Sequence, residues 1–186
     1  MSTVFETTRL RIRRPTTSPE DVDLLFNLWT DPQVMADVGF PEGLTITREE
    51  VKCQVAGWNS SPDNDRLVAA LKESGQLIGE CKLGKPDTDG TCETDVKLLP
   101  RFWGRGLGTE IKQGLVDYLF THTDCTAVRA TPNRNNIASQ KMQEAVGGKV
   151  VDQGVYHFPK PLRSQTIDVP YLVYVVTREE WQRRRC

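Results

Sequence analysis

The stretch Trp103-Gly104-Arg105-Gly106-Leu107-Gly108-Thr109-Glu110 decides how the rest of the chain is read. Three glycines alternate with other residues directly before an amphipathic run. The segment ahead of them, Thr91 to Leu99, has strand character and stops at Pro100. A strand, a glycine loop and a helix N-terminus together make a device for holding an anion. The N–H groups of a first helical turn lack internal acceptors, and the helix dipole adds partial positive charge there. Glycine removes the side chains that would keep a phosphate from those groups. Arg105 can add a charge-assisted hydrogen bond. The stretch is therefore read as a grip for a pyrophosphate.

On the N-terminal side, Arg9 to Arg13 alternates polar and apolar residues as a half-buried strand does, and Pro15 ends it. Ser18-Pro19-Glu20-Asp21 supplies an N-cap, a proline at the first helical position and two early acids. Val22, Leu25, Phe26 and Trp29 follow at helical spacing, and Val34, Met35 and Val38 mark a short continuation after Asp31-Pro32. Thr47-Arg48-Glu49-Glu50 is a capping box for a second helix with Val51, Val55 and Trp58 on its apolar face. Three strands, Leu67 to Lys72, Leu77 to Leu83 and Thr91 to Leu99, are joined by Ser74-Gly75 and Asp87-Thr88-Asp89-Gly90 into an antiparallel meander.

Beyond the glycine loop, Leu107, Ile111, Leu115, Tyr118 and Leu119 share one helix face. A strand from Thr126 to Thr131 and a helix from Asn136 to Val146 come next, and Gly147-Gly148 stops that helix. Strands from Lys149 to Phe158 and Ile167 to Val176 and a capped tail helix from Thr177 complete the chain. The expectation is a single α/β (α+β) domain over residues 1–186. Its sheet is mixed and mostly antiparallel, of about seven strands flanked by helices. The order is β-α-α-β-β-β-α-β-α-β-β.

A length of 186 residues suits one domain with a sizeable core. Apolar residues at 38% and charged residues at 26% exclude a disordered chain. No apolar run approaches the ~18 residues of a membrane span. Met1 to Glu6 lacks the basic start and apolar core of a signal peptide, so a cytoplasmic location is expected. A net charge of −1 gives no general field for nucleic acid. The five cysteines show no Cys-x-x-Cys pair, and His122 and His157 are the only histidines. A zinc site or disulfide framework is not expected; free, mostly buried thiols are.

Which anion the loop holds follows from its spacing. A phosphate-binding NTPase loop ends in Gly-Lys-Ser/Thr, which is absent. A dinucleotide fingerprint needs its third glycine one residue later and an acid at the tip of the next strand. That strand ends in Arg129-Ala130-Thr131-Pro132. Four strands also precede the loop, whereas the fingerprint follows the first strand of its unit.

Leu98-x-Pro100-x-x-Trp103-Gly104-Arg105-Gly106-Leu107-Gly108-Thr109-Glu110 resembles the acetyl-CoA loop of the GNAT N-acetyltransferases. It is closest to their ribosomal-protein N-acetyltransferase branch, in which tryptophan precedes Gly-Lys/Arg-Gly. Asn136-Ile137-Ala138-Ser139, followed by Gly147, resembles the family's second motif. The resemblance covers essentially the whole chain and implies the GNAT fold. It implies acetyl-CoA as cosubstrate, no metal, and an amine acceptor, either a small molecule or a protein N-terminus. Nucleic acid and membrane are not expected partners, and the chain is expected as a monomer or homodimer. The pantetheine arm would pair with the backbone near Leu98 and Leu99, the loop from Gly104 to Thr109 would hold the pyrophosphate, and Asn136 would bond the pantetheine. Trp103 belongs to that loop but is expected, by its bulk, to pack into the core.

Three positions depart from the family pattern. Trp103 replaces the usual Gln or Arg, Gly147-Gly148 replaces Gly-Phe, and Gln143 stands where a tyrosine commonly protonates the leaving thiolate. Acetyl transfer needs a neutral amine. A lysine-type amine with a pKa of about 10.4 costs roughly 4.6 kcal/mol to neutralise at pH 7, and an α-amine near 7.8 only about 1 kcal/mol. A base therefore matters most for side-chain and polyamine acceptors. Glu93 is the first candidate, with Asp95 on the same strand face, Glu80 on the neighbouring strand and a relayed water as alternatives.

For the acid, the branch points to Ser139, one turn after Asn136. Tyr156 and Tyr174, expected in the core, and the exposed or structural His157 rank behind it. A cysteine nucleophile would need a paired histidine that the sequence does not display. Direct transfer in a ternary complex is expected. A CoA-binding sensor without transferase activity is the alternative function, and a plain interaction domain is a third.

Overall fold

The structure, a computed structural model, describes residues 3–185. Met1, Ser2 and Cys186, which entered the signal-peptide and thiol readings, lie outside them. The strands are β1 (Thr3–Glu6), β2 (Leu10–Arg13), β3 (Arg66–Leu71), β4 (Leu77–Leu83), β5 (Thr91–Leu98), β6 (Ala127–Ala130), β7 (Lys149–Tyr156) and β8 (Val169–Thr177). The helices are α1 (Pro19–Thr30), α2 (Pro32–Met35), α3 (Arg48–Asn59), α4 (Leu107–His122), α5 (Ile137–Ala145) and α6 (Arg178–Arg183).

One sheet takes all eight strands in the order β1-β2-β3-β4-β5-β6-β8-β7. Every pairing is antiparallel except β5 with β6. The mixed, mostly antiparallel sheet is as expected, and the count is one higher. The additional strand, β1, has only Val4 and Phe5 as apolar residues, too few for an alternation to show. It forms because β2 offers it an edge, with Glu6 opposite Arg11 and Thr3 opposite Arg13.

Two hydrophobic clusters flank the sheet. The larger packs Leu28, Val51 and Val55 against Ile12, Leu67 and Ile78, and continues to Leu107, Ile111 and Leu115 of α4. The smaller joins Cys92, Val116, Leu119, Val128, Val146 and Val176. The start of α1 is anchored by a fully buried carboxylate. Asp21 accepts from both terminal nitrogens of Arg13 at 2.8 and 2.6 Å, and from the Thr16 N–H and hydroxyl at 2.6 and 2.8 Å. Burial pushes the Asp21 carboxyl up, but these bonds outweigh it and hold the group below the usual carboxylate range.

The feature that shapes the site is a split in the middle of the sheet. β5 and β6 pair only from Thr91 opposite Ala127 to Glu93 opposite Arg129. β6 then stops at Ala130, two residues before Pro132, which has no N–H to give a ladder. β5 runs on to Leu98 with only β4 beside it. The two strands part at Thr94, whose hydroxyl donates to the Arg129 carbonyl at 3.3 Å.

Candidate active site

A cleft of about 1300 Å³ fills this split and passes through the sheet. On one side it is walled by α4 and α5, with Gly106, Gly108, Thr109, Ser139 and Gln143. On the other it reaches α2 and the turn after it, β7 and β8, with Asp37, Asp152, Tyr156 and Tyr171.

The exposed edge of β5 faces into the cleft. Gly84 donates to the Glu93 carbonyl and Leu99 to the Ile78 carbonyl, which fixes the hydrogen-bonding parity of β5 against β4. The peptide groups of Thr94, Val96 and Leu98 therefore turn toward the gap. Side chains occupy two of them. Asp95 Oδ1 accepts the Val96 N–H at 2.9 Å, and the Trp103 indole donates to the Leu98 carbonyl at 2.8 Å. Trp103 is thus half-exposed at the cleft mouth, not packed into the core as expected, because its indole N–H finds a partner only there. Leu99 does not reach the cleft; its N–H goes to Ile78 and its side chain into the core.

The glycine loop opens onto the same gap. Gly104 and Gly106 have φ of 70° and 73°, the left-handed region, so a side chain at either would strain the backbone. Gly106 is also the N-cap of α4 and supplies no side-chain bond. Each of the other five α-helices has a side-chain cap, from Ser18, Asp31, Thr47, Asn136 and Thr177. Among the α-helices of the described residues, α4 alone has no side-chain cap on its first N–H groups, and Gly106, Gly108 and Thr109 line the cleft. Arg9 braces the loop by donating to the Arg105 carbonyl at 3.1 Å and to Glu110 at 2.6 Å. The Arg105 side chain lies near the Phe102 ring, outside the cleft lining.

Glu93 lies at the last paired position of the split, on the face opposite Thr94. It lines the cleft, and Lys82 donates to it at 2.8 Å. Asp95 shares that face and pairs with Lys97. Burial pushes the Asp95 carboxyl up, but the Lys97 ammonium more than offsets this and holds it low. Glu80 sits beneath, buried, accepting from the Trp29 indole at 3.0 Å and lying 3.5 Å from Lys97. It does not line the cleft.

Asn136 does two things. It caps α5 by accepting the Ser139 N–H at 2.8 Å, and it donates to Asp37 Oδ2 at 2.5 Å. Asp37 was not singled out from the sequence; burial raises its carboxyl, against the pull of the Asn136 bond. Tyr174 is buried and donates to Glu144 at 3.1 Å. Tyr156, expected in the core, is instead exposed on the edge strand and lines the cleft. His157 pairs with Asp168 at 2.8 Å on the surface, outside the cleft. Of the described cysteines, Cys81, Cys92 and Cys125 are buried and Cys53 is exposed; none lines the cleft. Burial drives the Cys81 thiol up and takes Cys92 to about 12, so neither supplies a thiolate nucleophile.

Sequence reasoning also passed over Lys112. It sits on the sheet-facing side of α4, is 1% exposed, and donates to the Thr94 hydroxyl at the point of the split. A signal was present, because Lys112 stands on the helix stripe that contains Gly108, Leu115, Val116 and Leu119.

The profile of the acetyltransferase (GNAT) domain matches residues 9–149, about three-quarters of the chain. The chain belongs to the GNAT acetyltransferase family. As a GNAT protein it is an N-acetyltransferase. An uncharacterized N-acetyltransferase p20 of Bacillus licheniformis is 26% identical over 96% of this chain and 98% of its own.

Two solved acetyltransferase structures are similar in fold. Spermidine N-acetyltransferase from Vibrio cholerae, in complex with CoA and spermine, superposes with a TM-score of 0.75 at 16% identity, covering 94% of this chain and 99% of that one. Ribosomal-protein-S5-alanine acetyltransferase from Vibrio fischeri gives 0.74 at 14%, covering 95% and 97%. Among the described residues no helix is long and apolar enough to cross a membrane.

Proposed function

We propose that the protein transfers acetyl directly from acetyl-CoA to a primary amine held on the α2–β7–β8 side of the cleft. The observation that carries this reading is the gap between β5 and β6 ending at the uncapped N-terminus of α4. A chain carrying amides can add to the open edge of β5 as a strand does. The bonds that Asp95 and Trp103 make to Val96 and Leu98 are those its amides would replace. The N–H groups from Gly106 to Thr109 would take the pyrophosphate. Asn136, already committed to Ser139 and Asp37, would act at the cleft wall.

Glu93 is the proton acceptor for the incoming amine, placed on the acceptor face at the apex of the split. Asp37 and Asp152 on that side are carboxylates that could meet an acceptor arriving as an ammonium, in a cleft whose lining also carries Lys82 and Arg129. The similar spermidine acetyltransferase, crystallised with spermine, supports a cationic amine; the ribosomal-protein enzyme supports a protein N-terminus. Ser139 donates a hydrogen bond toward the sulfur, though a hydroxyl is too weak an acid to be the proton source. Among the described residues no cysteine lines the cleft, which supports transfer in a ternary complex without an acyl-enzyme.

The test is release of CoA thiol across a panel of polyamines, aminoglycosides and peptides with free N-termini. Wild type should turn over at least one, and Glu93→Gln should lower kcat on it by about 10²–10⁴-fold. Calorimetric CoA binding with no turnover of any amine would overturn the transferase assignment.

A further inference from the structure

The leaving thiolate needs a proton, and Gln143 on α5 has none to give at neutral pH. We propose that the Lys112 ammonium on α4 is the general acid that protonates the sulfur of CoA as the acetyl group departs. This rests on the acetyl-CoA reading of the cleft, and the geometry behind it is independent of that motif. Thr94 is the residue at which β5 and β6 part; its hydroxyl donates to the Arg129 carbonyl and accepts from Lys112 Nζ. Lys112 Nζ therefore sits at the apex of the gap. A pantetheine chain running from the α4 N-terminus along Leu98 and Val96 would bring its thioester to that point. The distance from Leu98 to Thr94 is four strand steps, about 13 Å.

The side chain has no other explanation in the fold. It is the largest fully buried side chain described, it lines the cleft, and its one hydrogen-bond partner among the described residues is a neutral hydroxyl. Burying a lysine without a carboxylate partner destabilises a protein, and an apolar residue would fill the stripe better. The charges around it are few. Asp95 on β5 acts on it from the far face, while Ser139 and Gln143 on α5 carry none. Burial lowers its amine to about 7, with Asp95 pulling weakly the other way. An ammonium so weakened gives its proton readily to a thiolate whose conjugate acid has a pKa of about 8.5.

The step balances. The acceptor ammonium loses one proton before attack, passing to Glu93, and its nitrogen forms the C–N bond. The tetrahedral adduct loses the second N–H proton to the same side and then breaks its C–S bond. The sulfur pair takes the proton of Lys112, which is left as a neutral amine and is refilled from water. One proton is released to solvent per turnover, and no other reactant is needed. The base Glu93 and Thr94, to which the acid Lys112 is hydrogen-bonded, are consecutive residues on opposite faces of one strand.

Ultraviolet titration of the CoA thiol bound to the intact protein reads the contact without any turnover. In wild type the bound thiol should titrate about 1 pKa unit lower than in Lys112→Met, the effect of a partly protonated amine beside it. Lys112→Arg separates charge from proton donation. Arginine keeps the charge but does not give up its proton, so the thiol should still titrate low while kcat falls by about 10²–10⁴-fold.

Equal thiol titration in wild type and Lys112→Met would overturn the proposal, as would an Arg variant with undiminished kcat. Should either variant fail to fold, Thr94→Val tests the same placement; it should raise the bound thiol toward its free value, and an unchanged thiol would count against the proposal. Wild type that binds no CoA would overturn the acetyl-CoA reading itself. Wild type that binds and transfers, with variants that titrate and turn over alike, would overturn only the role of Lys112.

Discussion

Replacing Lys112 by methionine should stabilise the protein, by an amount that shrinks as pH rises. In the folded state burial lowers the amine to about 7, against an ordinary value of 10.5 that the unfolded chain recovers. Between those two values the unfolded chain binds the proton and the folded protein does not, so the stability of wild type rises with pH. Below about pH 7 the full penalty applies, roughly 5 kcal/mol. Near pH 9 it has fallen to roughly 2 kcal/mol, and above the unfolded value it vanishes.

Methionine fills the stripe without a charge and gives up the bond to Thr94, about 1 kcal/mol at every pH. Urea melts of wild type and Lys112→Met at about pH 6 and about pH 9 should therefore show the variant's advantage shrinking by roughly 2.5 kcal/mol. Taking the difference between the two proteins cancels the buried thiols. Their raised values add stability at neutral pH that is lost on the alkaline side in both. An advantage that stays constant across that range would refute the reasoning, since it would mean the folded ammonium keeps its ordinary affinity for protons.

Asp21→Ala should cost about 3–5 kcal/mol in a urea melt, because it strands the Arg13 guanidinium, only 11% exposed, without its carboxylate. Gly106→Asp should abolish CoA binding by calorimetry and leave the far-ultraviolet circular dichroism unchanged. It puts a side chain at a φ of 73° and an anion at the open end of α4. Asn136→Ala should lower stability by about 1 kcal/mol through loss of the α5 cap. It should weaken CoA binding as well, and a stability loss without a binding loss would leave Asn136 a cap alone.

What could be read from the chain was what local chemistry decides. The caps at Ser18 and Thr47, the meander turns and the alternating glycines each carry their structure within a few residues, and each element formed where those signals stood. β1 could not be read, because its four residues become a strand only when the β2 edge is present. Trp103 and Tyr156 misled for a related reason. Aromatic bulk argues for burial, but their positions at a cleft mouth and on the sheet edge are set by tertiary arrangement. Asp37 lies 99 residues from the Asn136 amide that bonds it, a pairing no spacing rule reaches. Lys112 was legible in principle as a charge on an apolar stripe, and was hidden by the ordinariness of lysine on helices.

The split in the sheet relates these residues to one another. A strand alternates its side chains between faces, so a strand that loses its neighbour at one residue offers successive side chains to opposite sides of whatever fills the gap. β5 loses β6 after Glu93. Glu93 then turns its carboxylate to the face where Lys82 meets it, and Thr94 faces α4, where Lys112 meets it. A thioester at that point would have a proton acceptor on the side from which the amine comes and a proton donor on the side toward which sulfur leaves. Shifting the end of β6 by one residue would exchange those faces. The three-residue pairing of β5 with β6 sets where the cleft opens, and with Glu93 and Lys112 in the proposed roles it would set the direction of proton flow as well.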